Sequence, residues 1–360
     1  MHASRALIVV AALSLPFAAA CDRNDSPTAP PAAHDDAELD GTGYGVFGTT
    51  TLKRNHPRGF CVGERYRDFD FWLGDWNVVA QTGVITGATN RIVRDLNGCA
   101  VLENWTAANG SRGRSLNAFD RTDGQWHQMW VAPNAFSPLR IAGVKHDGVL
   151  EMSGVRVSPA GFSVVDTIRW QAISPDIVNQ AGTKDIPGFF HDAFSIDYHR
   201  TENLQPAPEL VATDCQPGGS AAENRLADFL IGSWQISSKH GLPIAKSLVG
   251  SDLSGCLFVE RIDGPLGFES ITFFHYDAVT DMWTRGTMDN LGNWLEMTGP
   301  VDHAGGPIVL TGVKGGLFGT SVHVRLTIES VNPAEVRQTL QTSVNGGTTW
   351  SRGVTLIYRM

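Results

Sequence analysis

Apolar residues in this chain recur in short runs of about four to eight positions, broken by turn-forming pairs. Val101-Leu-Glu-Asn-Trp105, Leu116-Asn-Ala-Phe119, Trp126-His-Gln-Met-Trp-Val131, Phe162-Ser-Val-Val165 and Val322-His-Val-Arg-Leu-Thr-Ile328 are such runs. Asn97-Gly98, Asn109-Gly110, Asp123-Gly124, Asp147-Gly148 and Asn345-Gly346 punctuate the chain. Both central positions of a tight hairpin turn need positive φ, which Asn, Asp and Gly tolerate. The pattern predicts many short antiparallel strands. The only helical hint is a turn ahead of each Gly-x-Trp.

The pattern occurs twice. Arg67-Asp-Phe-Asp-Phe-Trp-Leu-Gly-Asp-Trp76 returns as Arg225-Leu-Ala-Asp-Phe-Leu-Ile-Gly-Ser-Trp234, an offset of 158 (67 to 225). Leu96-Asn-Gly-Cys-Ala-Val-Leu-Glu103 returns as Leu253-Ser-Gly-Cys-Leu-Phe-Val-Glu260, and Asp120–Trp126 as Asp277–Trp283. Ser195-Ile-Asp-Tyr198 matches Thr355-Leu-Ile-Tyr358 near the two ends. Order and spacing agree throughout, so two homologous domains are expected, 58–200 and 222–360, joined by a Pro/Gly-rich linker over 201–221. About nine strands fit each repeat of about 140 residues, and closure into a barrel would remove exposed edges. The expected fold is all-β: two tandem antiparallel up-and-down barrels.

The first residues stand apart. Ala6–Ala20 is almost wholly apolar, too short to span a bilayer but suited to a signal-peptide core. It ends Phe17-Ala-Ala-Ala20-Cys21, which resembles a bacterial lipobox with Ala18 where Leu is usual. In that motif the cysteine is lipidated and becomes the mature N-terminus. A signal peptide over 1–21 and a membrane-anchored, exported envelope lipoprotein are therefore expected, with plain secretion as the alternative. Residues 22–57 are rich in Pro, Ala, Asp and Thr without an apolar period and read as a disordered tether.

Cysteine usage follows the repeat. Without Cys21, each repeat owns a pair, Cys61/Cys99 and Cys215/Cys256, whose second member follows Gly in the matching motif. In an oxidising compartment both pairs are expected to be disulfides, each worth about 3–4 kcal/mol by loop closure. No Cys-x-x-Cys occurs, and no metal site is expected. Net charge is −9 with 28 Lys+Arg, which argues against a nucleic-acid partner. Oligomeric state is not legible.

Phe-Trp-Leu-Gly-Asp-Trp76, Gly98-Cys-Ala-Val-Leu-Glu-Asn-Trp105, Ser115-Leu-Asn-Ala-Phe-Asp120 and Trp126-His-Gln-Met-Trp-Val131 resemble a family of bacterial uncharacterised domains of lipocalin-like architecture. Repeat one resembles it over about 140 residues, a length ordinary for one domain. Repeat two does so loosely, through Val336-Arg-Gln338, Asn345-Gly-Gly-Thr-Thr-Trp350 and Tyr358-Arg359. The resemblance implies a calycin-type barrel and no particular activity. In calycins a Gly-x-Trp opens the first strand and an Arg of the last strand covers the Trp. That implies Trp76 and Trp234 as barrel floors, with Arg200 and Arg359 as covers, although His199 rather than Arg200 aligns with Arg359. Such stacking contributes about 0.5–2 kcal/mol.

Strand alternation sorts candidate chemistry by side. Val101, Glu103 and Trp105 share one side, as do Phe258, Glu260 and Ile262 at the matching place. A carboxylate among apolar neighbours is either a polar anchor in a cavity, a structural partner of an Arg such as Arg169 or Arg261, or solvent-facing. Trp126, Gln128 and Trp130 share a side: either a pocket wall with one orienting amide, or core packing. Repeat two has Trp283, Arg285 and Thr287 there, so under the pocket reading the cavity is in repeat one at least, with a filled or altered barrel in repeat two. Alternation allows His127 and His275, which lie beside apolar neighbours, to face inward, unlike His191 and His323; a lone histidine on an apolar side reads first as structural rather than as a haem ligand. No cofactor is expected. Gly312–Gly319 lacks the Gly-Lys-Ser/Thr of a phosphate loop and reads as a hairpin.

Three functions fit, in this order. The first is a binding module holding a small apolar or amphipathic ligand through Glu103, Trp105, Asn117, Gln128 and Trp130. The second is an envelope scaffold with packed barrels. The third is an enzyme using Glu103 for acid–base work beside Asn117 or Gln128; absence of catalysis is favoured.

Overall fold

The structure, a computed structural model, describes residues 60–133, 135, 137–186, 188, 190–204, 221–315 and 320–360. The expected signal peptide, Cys21, the tether and Cys215 lie outside the described residues.

Two closed barrels of ten antiparallel strands follow one another. The first comprises β1 (Gly74–Ala80), β2 (Ile85–Asp95), β3 (Ala100–Thr106), β4 (Arg112–Asp120), β5 (Gln125–Val131), β6 (Leu139–His146), β7 (Val149–Val157), β8 (Ser163–Ser174), β9 (Ile177–Ile186) and β10 (Phe190–Arg200). The second comprises β11 (Gly232–Ser238), β12 (Pro243–Asp252), β13 (Leu257–Asp263), β14 (Glu269–Asp277), β15 (Met282–Asp289), β16 (Trp294–Pro300), β17 (Ile308–Gly315), β18 (Ser321–Asn332), β19 (Glu335–Ser343) and β20 (Val354–Arg359). Each strand pairs with its sequence neighbours, and β1–β10 and β11–β20 close the rings, so both barrels are up-and-down. Ten strands replace the expected nine. Each barrel also carries a glycine pair that brings two strands unusually close: a Cβ on Gly143 or Gly154, or on Gly299 or Gly312, would overlap a neighbouring backbone oxygen.

A 3-10 turn opens each barrel, Asp70–Trp72 and Arg225–Leu230. It offers a carbonyl to the floor tryptophan: Trp76 Nε1 donates to Trp72 O and Trp234 Nε1 to Leu230 O, both at 2.8 Å. Arg200 stacks 4.2 Å from the centroid of Trp76 and donates from Nη1 to Leu73 O at 2.9 Å. The second floor is built differently, which corrects the expected Trp234–Arg359 pair. Arg359 turns outward to Glu335 at 2.9 Å. Met360 reaches the floor instead, its Cε 2.7 Å from where a Cβ on Gly232 would stand. The strand end carries Arg200 in one repeat and Met360 in the other, and Arg359 falls on the opposite side of the pleat.

Cys61 and Cys99 form a disulfide. Cys256 is also disulfide-bonded, and its expected partner, Cys215, lies outside the described residues.

The barrels dock through the outer faces of β3–β5 and β13–β15. Leu102, Leu116 and Met129 share one apolar cluster with Val259, Ile271, Phe273 and Met288. Every residue of β4 is therefore buried, the inner face in the barrel and the outer face in the junction. Matching corners supply charge across it. Asp95 and Asp252 each cap a turn, accepting from Leu96 N at 2.6 Å and Leu253 N at 2.7 Å, and each reaches the other barrel. Asp252 takes Arg114 Nε at 2.9 Å with both side chains buried. Asp95 takes Arg261 Nη1 at 3.2 Å in a more open setting.

Candidate functional site

The first barrel is hollow. Its cavity measures about 400 Å3. The homologous interior of the second barrel is split into spaces of about 100 and 20 Å3. Inward side chains are layered along the barrel axis. The deepest layer is solid: Trp72, Trp126 and Trp170 surround Phe69, with ring centroids 4.9–5.3 Å from it. Moving outward along each strand, Trp126 gives way to Gln128 and Trp130, Val101 to Glu103 and Trp105, and Trp170 to Ile168 and Asp166. Tyr198 gives way to Ile196 and Phe194. Glu103, Gln128, Ile168, Gln180 and Tyr198 thus form the base of the cavity, with Trp105, Trp130, Phe194 and Lys184 above them.

Two glycines make this space. Gly113 on β4 sits opposite Trp105, and the Trp130 ring lies where its side chain would be, 2.9 Å from an added Cβ. Gly182 on β9 does the same for Phe194, whose ring would sit 2.5 Å from the added Cβ.

Glu103 is the chemical centre. It is 5% exposed. Its Oε1 accepts from Asn90 Nδ2 at 2.8 Å and its Oε2 from Ser115 Oγ at 2.7 Å. Neither Arg169 nor Arg261 pairs with it; they bond Glu151 and Asp95. Burial pushes the Glu103 carboxyl above its ordinary value, against the pull of the two hydrogen bonds and of Arg114. Burial and the Glu103 charge together push the Tyr198 phenol well up, and its hydroxyl donates to Gln180 Oε1.

Asn117 does not line the cavity. It stands on the inner face beside Val101 and Gln128, donating to Val101 O at 3.0 Å and Ser115 Oγ at 2.8 Å, and accepting from Gln128 Nε2 at 2.7 Å. Its role is to hold Gln128 and Ser115. Of the five residues expected to meet a ligand, four line the cavity: Glu103, Trp105, Gln128 and Trp130. Trp126, expected on the same wall, belongs to the packed floor.

Sequence reasoning missed a buried pair on the cavity wall. Arg156 Nε and Nη2 donate to Asp166 at 2.7 and 2.9 Å, with exposures of 8% and 1%. The signal was available: Asp166 alternates with Val164, Ile168 and Trp170, as Glu103 does with its neighbours. Asn90 gave the same signal, alternating with Ala88 and Ile92.

Neither His127 nor His275 faces the interior of its barrel. His127 points out of the barrel, stacked on Trp294 at 5.6 Å, with Nε2 2.9 Å from Asp123. His275 is buried in the junction, with Nδ1 2.7 Å from Cys256 O. The apolar neighbours that suggested an interior belong to the docking face. Asp120, Asp123 and His127 bring ligand atoms within 4.8 Å at the β4–β5 hairpin. The Asp120 oxygens already accept from the Thr122 amide and hydroxyl, and Asp123 is taken by Gln125 N and His127.

The repeat supplies an internal comparison. Glu260 stands where Glu103 does, accepting from Ser247 Oγ at 2.9 Å and from Arg285 at 3.3 Å. Arg285 replaces Gln128, and its side chain occupies the space that is open in the first barrel.

A pH test follows from Glu103. Its folded pKa is raised above the ordinary 4.5. Its contribution to stability is therefore full below the unfolded pKa and is lost as pH rises through the folded one. Glu103→Gln is expected to gain stability relative to wild type across that rise, read as the difference in urea midpoints from acid to neutral pH. A pH-independent difference would show that the carboxyl is not perturbed.

No protein-family model matches the chain, and no curated protein matches it. Among solved structures, a protein of unknown function from the DUF3598 family of Nostoc punctiforme is similar at 9% identity, covering 83% of this chain and 100% of that chain, with TM-score 0.18. A likeness at that level carries no argument about activity.

Proposed function

We propose that this chain is an exported, lipid-anchored binding protein whose first barrel holds a small amphipathic molecule, the second barrel being its packed companion. One observation carries the reading: among the described residues the first barrel holds the roomier cavity, about 400 Å3 against 100 and 20 Å3 in the second. Its lining suits an amphipathic guest. Trp105, Trp130, Leu139, Ile168, Phe194 and Ile196 offer apolar surface, while Glu103, Gln128 and Gln180 offer orienting polar groups. Calycin kinship belongs to the same reading and is supported by Arg200 over Trp76. Export is supported by the apolar run ending at Cys21 and by the Cys61–Cys99 disulfide, which suits an oxidising compartment.

The test is native against denaturing mass spectrometry of the full chain carrying Cys21→Ser. A small-molecule mass retained by this protein is expected, and its loss in Trp130→Ala. Trp130 is half-buried at the upper layer, so its removal should leave the fold intact by near-ultraviolet circular dichroism. An empty protein in both samples would favour the scaffold reading.

A further inference from the structure

We propose that the ligand of the first barrel carries a protonated amine, held at Glu103, with its apolar body lying against Trp105, Trp130 and Phe194. This rests on the binding reading above and names the chemistry of the guest.

The argument comes from the second barrel. There the same glutamate is met by a guanidinium: Arg285 donates to Glu260 Oε2 at 3.3 Å and to Thr272 Oγ1 at 3.3 Å. The first barrel keeps the glutamate and loses the cation. Gln128 takes the place of Arg285 and turns to Asn117, which leaves open volume above a buried carboxylate. A buried carboxylate is costly unless a cation joins it. The two bonds Glu103 accepts occupy one site on each oxygen, and a carboxylate has about four. Beside it, Asn90 Oδ1 is fully buried and has no hydrogen-bond partner. The spare acceptor capacity of Glu103 at the base of the cavity calls for a compact donor-rich group, and an ammonium supplies three donors. The aromatic rings above add the faces on which a cation or its alkyl stem rests.

The competing chemistry is an anion at Lys184, which makes no ion pair among the described residues. Lys184 lies at the outer end of the cavity and is only partly buried. Lys184 is partly exposed there, whereas Glu103 is 5% exposed at the base. Arg156 is already engaged by both oxygens of Asp166. The deeper charge, which makes no ion pair among the described residues, therefore decides the sign of the ligand.

The experiment compares octylammonium, 1-octanol and octanoate, which share one alkyl chain, by calorimetric titration of the purified protein. Octylammonium is expected to bind about tenfold or more tighter than octanol, the value of a charge-assisted hydrogen bond, with octanoate weakest. Glu103→Gln should erase the preference for the amine while octanol binding persists. Gln128→Arg, which installs the second barrel's arginine, should abolish amine binding even if Glu103→Gln does not fold. Octanoate binding tightest, equal affinity for all three, or an unchanged preference in either variant overturns the amine and leaves the binding barrel standing. No binding of any probe at millimolar concentration overturns both.

Discussion

Replacing Arg114 by Ala is expected to cost about 3–5 kcal/mol, the usual penalty for stranding one partner of a buried ion pair. Arg114 and Asp252 are 2% and 5% exposed at the side chain and meet at 2.9 Å in the junction between barrels. Without the guanidinium, Asp252 keeps its bond from Leu253 N but is left a buried carboxylate that has lost its cation. The sister pair gives the control. Arg261 and Asp95 are 30% and 22% exposed, so Arg261→Ala is expected to cost no more than about 1 kcal/mol. A second control is the double substitution Arg114→Leu with Asp252→Asn, which should recover much of the loss by removing the uncompensated charge. Urea denaturation of the four proteins measures all of this. Equal costs at the two arginines would mean that the junction is open to water in solution.

Trp76→Ala should be as damaging, again about 3–5 kcal/mol, from lost packing in a site that cannot collapse. The ring is fully buried, meets Tyr198 edge-on at 6.4 Å and carries Arg200 on its face. Trp76→Phe retains a ring and strands the Trp72 carbonyl, for about 1–3 kcal/mol. The arginines separate the two floors. Arg200→Ala removes a stacked cation and its bonds to Leu73 O and Pro175 O, and about 1–2 kcal/mol is expected. Arg359→Ala removes a surface pair with Glu335, and its effect should fall within about 0.5 kcal/mol. A large loss at Arg359 would restore it to the floor of the second barrel.

Hairpin turns and alternation made the barrels legible before any coordinates, because closed antiparallel sheets repeat one simple pattern. The same alternation placed Glu103, Trp105, Gln128 and Trp130 correctly relative to one another. What it did not reveal was which side is inside. His127 and His275 looked inward because their neighbours are apolar, yet those neighbours line the junction. β4 and β14 are buried on both faces, so the contrast between wet and dry sides on which alternation depends is missing there. The strand count was short because pairs such as β16–β17 join through few residues and close glycine contacts, which carry little apolar signal. The misplacing of Arg359 was a single-residue matter. Tyr358-Arg359 stands one position out of step with His199-Arg200, and one step in a strand reverses the face.

Emptying a barrel takes packing away from its wall, and the wall that bears Glu103, Gln128 and Trp130 is the same three strands, β3–β5, that the second barrel covers from outside. The duplicate therefore works as a splint. The more tightly filled copy backs the wall of the roomier one, and damage to the joint should be felt inside the chamber before either barrel comes apart.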